Sequence, residues 1–172
     1  MTDLKIAQWN CGGMNPSTAS TPQKMGSFDK NFPNASFDIA AFLETHHKDD
    51  SDLPELIKIY KISHTIIHTP APPDDTHAGI LILIGKHLTV KNPRIMIPGR
   101  LINFQLEIPN TENTYNFSVF YGHTSRQIRQ AQVTRNLNHF LSNHNIEETN
   151  VIFGDFNFCH KIIDRQTKLH WY

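Results

Sequence analysis

In the stretch VIFGDFN (151–157), three apolar residues run into Gly154, and Asp155 and Asn157 follow two positions apart. The same pattern, an apolar run closing on a polar group, recurs at Asn10 after LKIAQW, at Glu44 after DIAAFL and at Tyr121 after YNFSVF. Glu44 with the carboxamide oxygen of Asn10 would suit a hard cation such as Mg²⁺, which takes one or two protein carboxylates and leaves its other positions to water and phosphate. Asp155 has the chemistry of a base or orienting acceptor for an attacking water. The Asn157 amide and the Tyr121 hydroxyl are donors for phosphate oxygens. Metal-assisted hydrolysis of a phosphodiester is one reading of the set.

Each residue taken singly also has a plain reading. Asn10 is a turn former, Asp155 after Gly154 starts an Asx-turn, Glu44 is a solvated carboxylate, and Tyr121 is core with its hydroxyl at the rim.

The elements that must position these groups are mostly strands. LKIAQWN (4–10) and DIAAFLETHH (38–47) read as strand followed by loop, and HAGILILIG (77–85) is apolar on both faces, as in a strand buried on both sides. In INFQLEI (102–108), Ile102, Phe104, Leu106 and Ile108 alternate with polar residues; in YNFSVFYG (115–122), Tyr115, Phe117, Val119 and Tyr121 share a face. With the NTEN turn between them, the two runs predict an antiparallel hairpin. A helix is expected over 125–144, capped by Ser125, and a shorter one over 53–62; residues 15–37 read as a long Ser/Thr/Asn/Pro-rich loop. This is a mixed α/β pattern in a single domain, with antiparallel pairing instead of a regular βαβ alternation.

Composition narrows the classes. A chain of 172 residues, 38% hydrophobic and 19% charged, can bury one ordinary core. Its longest apolar run is too short to span a bilayer, and the first residues lack a secretory pattern. Two cysteines, Cys11 and Cys159, do not make a disulfide scaffold, and an intracellular protein, nuclear or cytoplasmic, is expected. Sixteen basic and sixteen acidic residues cancel, so no overall positive charge marks a nucleic-acid partner, although a local patch or a bound metal can supply one.

Taken together, LKIAQWNCGGM, DIAAFLETHH, AGILILI, FSVFYGHTS and VIFGDFNFCHKIIDRQ resemble, in order and approximate spacing, the endonuclease/exonuclease/phosphatase superfamily. The resemblance is closest to the endonuclease domain of LINE-type (non-LTR) retrotransposons. It implies an α/β (α+β) fold, a deoxyribonuclease-I-like two-sheet β-sandwich flanked by helices, with the site where strand ends meet. It further implies Asn10 near the metal, Glu44 as metal ligand, Tyr121 on the scissile phosphate, and Asp155 and Asn157 positioning the attacking water and the phosphate. The implied cofactor is Mg²⁺ or Mn²⁺, and the partner is DNA, with no membrane.

The family's C-terminal Asp–His pair has no counterpart here: the sequence ends at Tyr172, fifteen positions after Asn157 (172 − 157), and His170 lacks a preceding acid. The expectation is a domain without its C-terminal portion, with unpaired strand edges, an uncovered apolar face and little hydrolysis. Alternatives are an abasic-site nuclease or phosphatase of the same fold, or a non-catalytic remnant or binding module. The eleven histidines show no zinc-motif spacing and read as solvated or capping. Arg126, Arg129 and Arg135 read as a solvated helix face, Arg100 as half of a structural ion pair, and Asp164 and Arg165 as loop braces.

Overall fold

A computed structural model describes residues 3–14, 37–49, 63–109, 111, 114–125, 127, 128, 131 and 149–157. The segments 15–36, 53–62 and 158–172, and nearly all of the expected 125–144 helix, lie outside the described residues; of that helix, residues 127, 128 and 131 are seen and are helical. Among the described residues no helix is long and apolar enough to cross a membrane.

Eight strands form two four-stranded sheets. The first contains β1 (Ile6–Asn10), β2 (Ile39–Leu43), β3 (His64–Thr69) and β4 (Ile80–Gly85), in the order β1-β2-β4-β3. The second contains β5 (Thr89–Ile97), β6 (Leu101–Glu107), β7 (Thr114–Tyr121) and β8 (Thr149–Asp155), in sequence order. Each sheet has one parallel pair, β1 with β2 and β7 with β8, and is otherwise antiparallel. The deoxyribonuclease-I-like sandwich is therefore the observed architecture.

The alternation of apolar residues decides how the sheets face each other. Ile39, Ala41 and Leu43 of β2 and Ile80, Ile82 and Ile84 of β4 pack against Ile102, Phe104 and Leu106 of β6 and Phe117, Val119 and Tyr121 of β7. Phe104 stacks on Phe117, with ring centroids 5.5 Å apart, and Phe153 of β8 meets Phe117 edge-on. Each such side chain removed from water contributes roughly 1.5–3 kcal/mol. The intervening residues of β6 and β7 form a polar ladder on the other face of that sheet: Gln105 donates to Asn116 and Ser118 to Asn103. The predicted hairpin is present, with Leu106 opposite Tyr115 and Leu101 opposite Phe120.

Two strands were not expected from the sequence. The HTIIHT segment becomes β3 by pairing along the whole of β4. TVKNPRIMI becomes β5 in spite of Pro93, because β5 is a sheet edge and its register shifts between Lys91 and Arg94, where the missing proline N–H costs no ladder bond.

The expected uncovered apolar face is not found among the described residues. The outer face of the first sheet, with Ala40, Phe42, Leu81 and Leu83, is fully buried, and Ile6, Ile95 and Ile128 are the exposed large apolar residues. Among the described strands β1, β3, β5 and β8 each pair on one side only, and β1 is alternately exposed along its length.

Candidate active site

Parallel pairing brings strand ends together. Asn10 lies opposite Leu43 at the end of β1 and β2, and Tyr121 lies opposite Asp155 at the end of β7 and β8. When the sheets pack, all four carboxyl ends meet at one rim. The amide nitrogen of Asn10 donates to Asp155 Oδ2 at 3.2 Å, and the Tyr121 hydroxyl donates to Glu44 Oε2 at 2.7 Å. Both bonds cross from one sheet to the other. Asn157 joins from beyond β8: its backbone N–H donates to Asp155 Oδ1 at 2.8 Å, and its side-chain amide donates to the Gly122 carbonyl at 2.6 Å.

The plain readings of these residues are realised as well. Asp155 does close an Asx-turn on Asn157, and Asn10 Oδ1 accepts the Gly12 N–H at 3.1 Å in another. Tyr121 is core, 2% exposed. The turns use one oxygen of each Asx side chain and leave the second polar atom aimed across the seam. As placed, Asn10 meets the cluster through its nitrogen, with its oxygen held by Gly12.

Backbone conformation marks the same place. Among the described residues, the non-glycine positions with positive φ are Glu44, His46, Asn92 and Asn157. Three of these four belong to the rim cluster, where each left-handed residue costs on the order of 1 kcal/mol that packing must offset.

The electrostatics follow from partial burial. Burial opposes ionisation of Glu44, but hydrogen bonds from Tyr121 and Asn10 and the facing His46 imidazole outweigh it, so the carboxyl sits below its ordinary range. Burial, reinforced by the Glu44 carboxylate, pushes the Tyr121 hydroxyl well above the usual phenol range, so it is a proton donor at neutral pH.

Arg100 does form an ion pair, and it also braces the site. Its guanidinium grips both oxygens of Asp75 at 2.8 Å, donates to the Gly122 carbonyl at 3.2 Å, and lies 4.4 Å over the centre of the Tyr121 ring. The carbonyl of Gly122 is thus shared by Arg100 and Asn157.

One group of possible cation ligands stands at this rim. Ligand atoms of Glu44, His46 and His77 lie within 4.8 Å of one another, and His46 Nε2 is 3.5 Å from Glu44 Oε1. A carboxylate flanked by imidazoles fits a divalent cation. Neither histidine was singled out by the sequence. His77 is 31 positions from His46 (77 − 46), and only the pairing of Leu43 with Ile80 brings the residues beyond β2 beside those before β4. Arg126, Arg129, Arg135, Cys159, Asp164 and Arg165 lie outside the described residues; Cys11 is buried in the outer cluster.

Two mixed sheets closed on one core, with polar side chains converging where parallel strands end, define a phosphodiesterase- or nuclease-like hydrolase fold. The family model for the Endonuclease/Exonuclease/phosphatase family matches residues 7–169, and the chain belongs to that family. Its members generally use divalent metals.

Among solved structures, the chain is similar to a truncated TDP2 from Caenorhabditis elegans (16% identity, TM-score 0.67), covering 91% of this chain and 63% of that one. It is similar to D. rerio TDP2 complexed with a single-strand DNA product (12% identity, TM-score 0.65; 91% of this chain, 61% of that one). The human Nocturnin catalytic domain with a bound sulfate anion gives 16% identity and a TM-score of 0.64, over 90% of this chain and 65% of that one. At such identities the likeness is one of fold. The chain spans less than two thirds of the length of these three structures. No curated protein matches its sequence.

Proposed function

We propose that this chain is built for divalent-metal-dependent hydrolysis of DNA phosphodiesters, of the kind that nicks a target site for a LINE-type retroelement. The observation that carries the reading is the pair of hydrogen bonds, Asn10 to Asp155 and Tyr121 to Glu44, that gathers carboxylates and amide donors from two sheets at one rim. A cation held there would polarise a phosphoryl oxygen. Asp155 orients the attacking water and accepts its proton. The Asn10 and Asn157 amides and the Tyr121 hydroxyl are the donors for phosphate oxygens, and each gives up its present partner when phosphate enters. The motifs QWNCGG and LETHH support the retroelement assignment, and DNA in the D. rerio TDP2 complex supports the polymer. The action is placed inside the cell, where DNA is reached.

For the 172 residues as they stand, hydrolysis is expected to be slow, because no Asp–His pair of the family's C-terminal type is among them. The test is nicking of supercoiled plasmid with Mg²⁺ or Mn²⁺ by the wild type, Asp155→Ala and Glu44→Ala. Nicking that both substitutions abolish supports the reading. A folded chain that nicks no faster than either variant overturns it and leaves a binding module, while cleavage confined to an abasic-site oligonucleotide shifts the substrate within the fold.

A further inference from the structure

We propose that Glu44, His46 and His77 form a nitrogen-rich metal site that selects a borderline transition cation of the Zn²⁺ and Co²⁺ type over Mg²⁺. The inference builds on the metal-dependent reading above, but it is tested by binding, so a chain that takes the metal and fails to nick would sink only the nuclease reading.

The site is put together by backbone geometry. β2 ends at Leu43, and Glu44 (φ 58) and His46 (φ 59) then turn through left-handed conformations. Because β2 and β4 are antiparallel, with Leu43 opposite Ile80, the residues leaving β2 run beside those entering β4. Two backbone bonds hold them there, Thr45 N–H to the Gly79 carbonyl at 3.2 Å and His46 N–H to the Ala78 carbonyl at 3.0 Å. His77 immediately precedes the clamped Ala78 in the chain. Its ring meets His46 edge-on, with centroids 5.2 Å apart and planes at 76°. On its other side the His46 ring is backed by Gly13, where a Cβ would come 2.8 Å from Nδ1. The side of the ring carrying Nε2 therefore points toward Glu44, 3.5 Å away.

The donor chemistry selects the ion. Mg²⁺ demands oxygen ligands in near-ideal octahedral geometry, and two imidazoles in place of oxygens disfavour it. One carboxylate with two imidazoles is a His₂Glu set, which takes Zn²⁺ and its neighbours and leaves coordination positions open for water or substrate. Ligand atoms on one such ion lie about 3–4 Å apart, given bonds of roughly 2.0–2.2 Å. A spread of at most 4.8 Å closes to that by rotation of His77, the exposed member. Glu44 and His46 are half-buried, so the mouth of the site faces solvent on the His77 side.

The experiment is titration of the full chain with Co²⁺, read by visible absorption, and with Zn²⁺, read by calorimetry, each repeated in a large excess of Mg²⁺. The expected result is one Co²⁺ per chain with ligand-field bands of nitrogen coordination, unchanged by Mg²⁺. His77→Ala should weaken Zn²⁺ binding at least tenfold, and His46→Ala should do the same where it folds. His87→Ala, which removes an exposed histidine paired with Asp38 elsewhere, should leave binding unchanged. The proposal is overturned if Co²⁺ gives no such bands, if Mg²⁺ displaces it at comparable concentration, or if His77→Ala binds as the wild type does.

Discussion

The phenol of Tyr121 and the carboxylate of Glu44 stand 77 positions apart in sequence and 2.7 Å apart in the fold, and their hydrogen bond ties the two sheets at the rim. Tyr121→Phe removes a donor that favours the charged carboxylate. Burial then weighs more, and the Glu44 carboxyl should rise toward or past its ordinary 4.5, followed by carboxyl-detected NMR titration. A depressed carboxyl contributes stability that is present above its unfolded value and lost as the pH falls through the folded one, so the variant should lose less on acidification. At neutral pH it should be less stable by about 1–2 kcal/mol in urea denaturation.

Arg100 is 3% exposed and holds Asp75 in a two-pronged ion pair beneath the Tyr121 ring. Arg100→Ala strands Asp75 and frees the ring from its backing, and should cost about 3–5 kcal/mol in thermal or urea unfolding. Arg100→Lys keeps the charge and loses the planar fork, so its stability should fall between the two.

Gly154 sits at φ 140 in β8, and a methyl group there would overlap the backbone carbonyl of Phe120 in the neighbouring strand. Gly154→Ala should therefore force β8 away from β7, with a loss of about 3 kcal/mol or more. Hydrogen exchange should show the β7–β8 ladder opening while β2 and β4 stay protected.

His64, at the start of β3, has a proton affinity below its ordinary value because burial, then His87, disfavours its charged form. A lowered histidine contributes stability that is full above its unfolded value near 6.5 and declines as the pH falls toward the folded one. Wild-type stability should decline below about pH 6.5, and His64→Gln should flatten that part of the profile, measured by urea midpoints at several pH values.

What the sequence made legible follows from period and position. β6 and β7 could be read because apolar and polar residues alternate along them, and β8 because its apolar run closes on Gly154 and Asp155. β3 was not, since histidines at both ends of HTIIHT hide a short apolar centre, and β5 was not, since Asn92–Pro93 reads as a break. The five rim residues were legible as polar groups closing apolar runs, and strand pairing gathers them. His46 and His77 were not, because their nearness depends on the β2–β4 register, which no local pattern encodes. The burial of β4 on both faces was legible in the unbroken apolar run of HAGILILIG, and Leu81 and Leu83 do lie in the outer cluster.

Asn10 and Glu44 ride on one sheet, while Tyr121, Asp155 and Asn157 ride on the other. The rim is therefore a vernier between two slabs. A slip of an ångström or two along their contact plane would leave every ladder intact and still pull the Asn10–Asp155 and Tyr121–Glu44 marks out of coincidence. The buried residues that interlock the sheets, Leu43 and Ile82 from one and Phe104 and Phe117 from the other, deep in the sandwich and far from any substrate, set that alignment as surely as any residue at the rim.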